Sequence, residues 1–123
     1  MFTSELIFVL FTLFAFKHFI VDFLLQKKYQ YANKGIYGHP GGLLHAGLHG
    51  VGTFLCLMFF SPELAGILAI LDAVIHYHID WFHMKFGAQS YKDKKYWQWI
   101  GIEHFLHQQT YILLIILARY FLT

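Results

Sequence analysis

The 123-residue chain carries nine histidines, and most of them recur at helical spacing beside acids and glutamines. The groups are His18-x3-Asp22-x3-Gln26, His45-x3-His49, His76-x3-Asp80-x2-His83 and Glu103-His104-x2-His107-Gln108. Imidazole with carboxylate is a ligand set for zinc, iron or manganese. Residues three and four apart share a helix face. His18, Asp22 and Gln26 therefore form one stripe, Asp72, His76, Asp80 and His83 a second, and Glu103, His104, His107, Gln108 and Tyr111 a third. The candidate metal ligands are His18, Asp22, His45, His49, His76, Asp80, His83, His104 and His107. Asp22, Asp80 and Glu103 are the candidate catalytic acids. They would ligate, act as acid or base, or hold the second ring nitrogen of a histidine ligand. Asp72 lies deepest, as a partner of that kind or a proton relay. His78 points about 200° away from His76 on a helix and falls outside the site. His39, before Pro40, reads as an interfacial loop residue.

The elements that position these residues are apolar. Hydrophobic residues make up 58% of the chain and charged residues 13%, about half the share of a soluble domain. The mean hydropathy is +0.50. One domain is all this length allows. A helix needs roughly 20 apolar residues to cross the hydrocarbon core, and four stretches qualify, at about 3–26, 42–60, 62–85 and 96–121. Open strands cannot span lipid, so the expected fold is all-α, a polytopic membrane protein built as a four-helix transmembrane bundle. Pro62 suits a first helical turn. Gly42, Gly47, Gly50 and Gly52 would let the second helix approach its neighbours closely. The first stretch lacks a basic leader and a small-residue cleavage site, so it reads as a retained helix. The single cysteine, Cys56, has no internal partner. A net charge of +2 without a basic stripe excludes a nucleic-acid binder.

Loop charges set an orientation. Lys27, Lys28 and Lys34 follow the first span, and Lys85, Lys92, Lys94 and Lys95 lie around the third connection. The second connection, Ser61-Pro62-Glu63, has no basic residue; Arg119 alone dissents. The positive-inside rule then places both termini outside, and aromatic residues such as Trp81, Tyr96, Trp97 and Trp99 crowd the inner boundary. In this orientation every polar stripe falls in the cytoplasmic half, while the outer halves are almost purely Phe, Leu, Ile and Ala. Polar groups in lipid are expensive, so this layer is a functional-site expectation. The structural alternative is that the same residues only hydrogen-bond the helices together.

The ordered motifs resemble a known group. HFIVDFLLQ at 18–26, Asn33-Lys34, LLHAGLH at 43–49 and HYHIDWFHMK at 76–85 are similar to the bacterial membrane-protein family catalogued as domain of unknown function 3307. The resemblance spans nearly the whole chain and implies a location in the bacterial inner membrane. That family carries an Asp-Gln-x-x-His element in its last helix. Here the stretch reads His107-Gln108-Gln109-Thr110-Tyr111, and Glu103 and His104 are the residues available to compensate. The His-x3-Asp and His-x3-His spacings are also distantly similar to membrane-bound metal-dependent hydrolases.

The leading function is thus a metal-dependent hydrolase with zinc as the first candidate ion and iron or manganese as others. The site lies near the inner headgroups, so a lipid or lipid-linked ester or phosphate is the matching substrate, and membrane lipids are the expected partners. Three alternatives remain: a histidine-box iron oxidoreductase, a b-haem electron carrier, and a non-enzymatic metal transporter or small subunit of a homo-oligomer or larger complex.

Overall fold

A computed structural model describes residues 2–123, and among them there is no strand. Helix α1 spans Ser4–Phe19 and continues as a π-helical segment, Ile20–Leu25. A short helix α2, Lys28–Tyr31, sits in the first connection. Helices α3 (Pro40–Leu57), α4 (Pro62–Phe86) and α5 (Lys94–Leu122) follow. Local chemistry explains the starts. The Thr3 hydroxyl accepts from the Leu6 amide and the Ser61 hydroxyl from the Leu64 amide. Asp93 caps α5 through the Lys95 amide. These are the short polar side chains that satisfy orphan amides at a helix start. Pro40 and Pro62 occupy first-turn positions, where a missing N–H costs nothing. His39 itself caps α3, its Nδ1 accepting from the Gly41 amide at 2.9 Å.

Three helical stretches are long and apolar enough to cross a membrane: Ser4–Leu25 with 22 residues, Pro62–Phe86 with 25 and Lys94–Leu122 with 29. The second expected span is different. Helix α3 has 18 residues and is diluted by glycine and histidine. At 1.5 Å per residue it is about 27 Å long, just short of a hydrocarbon core of about 30 Å.

Helix α1 packs against α3 and α5, and α4 packs against α3 and α5, which closes a ring of four. Glycine sets two of these approaches. A Cβ on Gly50 would lie 3.0 Å from the Ala69 carbonyl oxygen, so α3 and α4 meet backbone to backbone there. A Cβ on Gly52 would meet the Lys17 side chain at 2.3 Å. Gly42 faces Lys34 and Tyr77, whereas Gly47 has nothing within 4 Å and serves no approach.

The interior is layered. Leu10, Phe14, Leu57, Ala65, Leu68, Leu114, Ile115 and Ala118 form an apolar core at the end where α1 begins and α5 finishes. Toward the lysine-rich end the buried residues become polar: Lys17, Thr53, Asp72, His45, His49, His76, Asp80, His107, Gln30, Lys34 and Glu103. The outside shows the reverse pattern, with Phe8, Phe16, Phe23, Ile67, Ile70 and Ile116 all more than half exposed. A soluble protein rarely displays so much contiguous apolar surface.

Candidate metal centre

Two aspartates organise the polar layer. Asp22, on the π-helical segment, receives three imidazoles. Its Oδ1 lies 2.7 Å from His49 Nε2 and 3.1 Å from His45 Nε2, and its Oδ2 lies 2.8 Å from His18 Nε2. Asp80, on α4, receives three more. Its Oδ2 lies 3.2 Å from His76 Nε2 and 3.3 Å from His45 Nε2, and its Oδ1 lies 3.0 Å from His107 Nε2. His45 therefore stands between the two carboxylates. The rings of His49 and His76 stack with centroids 3.5 Å apart, and those of His76 and His107 at 3.9 Å.

Close approach does not mean hydrogen bonding in every case. His49 Nε2 and His107 Nε2 are aligned to donate to Asp22 and Asp80. Among the described residues, His18 Nε2, His45 Nε2 and both ring nitrogens of His76 are buried without a hydrogen-bond partner. For His45 the reason can be followed. Gln30 Nε2 donates to the Leu25 carbonyl, which turns Gln30 Oε1 toward His45 Nδ1 at 3.2 Å. An amide oxygen only accepts, so Nδ1 holds the ring proton. A neutral His45 would then present its Nε2 lone pair to two carboxylates, an arrangement that repels until a metal ion or a proton lies between them. A tetrahedral ion with ligands at about 2.0–2.1 Å separates its ligand atoms by about 3.3 Å, close to the distances found here. Three overlapping sets place their ligand atoms within 4.8 Å of one another: Asp22, His45, His49 and His76; His18, Asp22 and His104; and His76, Asp80 and His107.

Charge counting points the same way. The side chains of Asp22, Asp72, Asp80 and Glu103 are at most 8% exposed. Among the described residues only two buried lysines face them, Lys17 at 2.9 Å from Asp72 and Lys34 at 3.6 Å from Asp80. With neutral imidazoles, two negative charges are left without an opposite charge. An unpaired buried carboxylate is strongly unfavourable, and one divalent ion would balance both.

Of the residues singled out by spacing, His18, Asp22, His45, His49, His76, Asp80, His104 and His107 come together in these sets. His83 does not join them; its Nδ1 pairs with Glu103, whose other oxygen lies 3.5 Å from His107. Gln26 also leaves its stripe, because the helix ends at Leu25 and the Gln26 amide turns back to the Asp22 carbonyl. Asp72 is one layer away, bound to Lys17 and Thr53. His78 bonds Tyr37 and the Val74 carbonyl on the outside. A cavity of about 120 Å³ opens between α1 and α5, lined by Phe11, Ala15, His18, His104, His107, Gln108 and Tyr111.

Spacing passes over three participants. Lys17, Gln30 and Lys34 are all buried in the layer. Lys17 had a signal, as the one basic residue within the first apolar stretch, where charge is costly. Lys34 had only the misleading one of a basic loop. No protein family, curated protein or solved structure matches this chain.

Proposed function

We propose that this chain is a four-helix integral membrane protein of the bacterial inner membrane that binds one divalent metal ion and uses it to hydrolyse a lipid or lipid-linked ester or phosphate. Both termini would face outward, and the centre would lie in the cytoplasmic half. Membership of the family named above is part of the same proposal. The observation that carries the metal reading is the position of His45 Nε2, which lies 3.1 Å from Asp22 and 3.3 Å from Asp80 without an aligned hydrogen bond, in a layer that with neutral imidazoles is two positive charges short of balance. Asp22, His45 and His76 share one close set and Asp80 shares another with His76; His45, 3.1 Å from Asp22 and 3.3 Å from Asp80, links the two, and these four are the proposed ligands, with His18 approaching from α1. Mixed imidazole and carboxylate donors suit zinc first, then iron or manganese.

Hydrolysis is the chemistry such an ion supports, because it activates a water and polarises an ester or phosphoryl oxygen. The chain's own part is to orient and to admit. His49 and His107 hold the two carboxylates by donated hydrogen bonds. The cavity between α1 and α5 exposes His104 and Gln108 at its rim, so a headgroup arriving within the bilayer would meet them. The stacked imidazoles leave no slot for a macrocycle between facing histidines, which weighs against the haem reading.

The test is elemental analysis of the purified protein, followed by hydrolysis of short-chain phospholipids and lipid phosphates before and after chelation. Bound zinc, iron or manganese with chelator-sensitive release of product supports the reading. Metal without turnover leaves a binding subunit, and a metal-free protein at full stability removes the proposal.

A further inference from the structure

A second buried cluster adjoins the centre. Lys17 Nζ lies 2.9 Å from Asp72 Oδ2, 3.1 Å from His49 Nδ1 and 3.4 Å from the Tyr111 hydroxyl. The Thr53 hydroxyl donates to the same Asp72 oxygen at 2.5 Å. An ammonium carries three protons and no acceptor, and here it meets three partners. The cluster is built into the packing. The stem of Lys17 passes over α3 at Gly52, where any side chain would collide with its Cγ and Cδ at 2.3 and 2.7 Å.

This geometry decides a proton. As the ammonium partner of Asp72, Lys17 only donates, and His49 Nδ1 accepts. A neutral imidazole then carries its proton on Nε2, the atom aligned on Asp22 Oδ1 at 2.7 Å. The two histidines of the His45-x3-His49 pair are thus set in opposite tautomers. Gln30 puts the His45 proton on Nδ1 and frees Nε2, whereas Lys17 puts the His49 proton on Nε2. We infer that Lys17 is a positioning residue that fixes the ring proton of His49, so that His49 orients Asp22 and is not itself a metal ligand. This inference rests on the metal reading for its consequence, but the tautomer stands without it. Asp72 holds Lys17 in place at 2.9 Å, which gives the deepest acid of α4 its role.

The experiment uses the full chain in detergent micelles, labelled with ¹⁵N-histidine, with and without zinc. Ring nitrogen shifts should report His49 as the Nε2–H tautomer in both samples. His49→Gln should retain zinc to within about tenfold, since an amide can accept from Lys17 and donate to Asp22. His45→Gln should lose more than the roughly 10–100-fold that an outer partner is worth. Lys17→Met alone would strand Asp72, so it is combined with Asp72→Asn, which removes the charges as a pair. That double variant should release the His49 tautomer and weaken zinc about 10–100-fold. A merely structural pair would change the melting temperature and leave the tautomer alone. The inference is overturned if His49 Nε2 is unprotonated in the natural sequence, or if His49→Gln loses zinc as completely as His45→Gln. Should the protein take up no zinc, the metal reading fails separately. The tautomer then decides: Nε2–H that is lost in the double variant supports Lys17 as the positioning residue, and any other pattern overturns it.

Discussion

Replacing Gly52 with alanine should destabilise the protein, while the same change at Gly47, five residues earlier on α3, should not. At Gly52 the new methyl would sit 2.3 Å from Lys17 Cγ and 2.7 Å from Cδ. These are mid-stem atoms, so Lys17 cannot clear the contact by swinging its terminus and must leave its place. Asp72, fully buried, then loses its ion-pair partner. Removing one member of a buried pair costs about 3–5 kcal/mol, and the alanine returns about 1 kcal/mol of helix propensity, leaving a net loss of about 2–4 kcal/mol. A Cβ on Gly47 meets nothing within 4 Å, so that change should be neutral or stabilise by up to about 1 kcal/mol. Reversible unfolding in mixed micelles, followed by circular dichroism, would measure the gap between the two variants. Adding Asp72→Asn to Gly52→Ala should recover part of the loss by removing the stranded charge. Equal stability of the two alanine variants would refute the claim that Lys17 is held in the core by passing Gly52.

Other outcomes can be checked alongside. In a Cys56→Ala background, Lys92→Cys should be labelled only after the inner membrane is permeabilised, and Ser61→Cys from outside; the opposite pattern would invert the topology and move the centre to the outer leaflet. Asp80→Asn should abolish tight metal binding and, because it strands buried Lys34, should destabilise the metal-free protein, a loss that adding Lys34→Met should recover. Unchanged metal affinity in that variant would assign Asp80 to helix association instead. His39→Ala and His78→Ala should leave metal content untouched, since one caps α3 and the other bonds Tyr37 outside the ring. Loss of metal in either would show that the ligand set is misassigned.

Helical periodicity made most of the site legible. His18 with Asp22 and His76 with Asp80 are one-turn pairs, and the contacts follow the spacing. The proline that opens α4 was equally readable, because the fit of Pro62 to a first helical turn is local chemistry. Three kinds of feature were not. The change from α to π winding at Ile20 has no residue signature, and the helix stops at Leu25, before Gln26 can join the stripe. Helix α2 is one turn long, too short for any period, yet it brings Gln30 to His45. His83 shares the α4 stripe, but whether it turns toward Asp80 or toward Glu103 depends on where α5 passes, a tertiary fact. The two lysine roles divide by depth: Lys17 was exposed to detection by its cost in lipid, while Lys34 looked like any loop lysine until the fold placed it 3.6 Å from Asp80.

The central claim is that one divalent ion balances the buried charge between Asp22 and Asp80. Titration of chelator-stripped protein with zinc, read by calorimetry, tests it most directly. The account predicts a stoichiometry of one per chain, loss of that binding in His45→Ala and in Asp80→Asn, and a rise in stability of about 2.7 kcal/mol at a free zinc concentration of a hundred times Kd. No saturable binding, or binding that survives both substitutions, would contradict it.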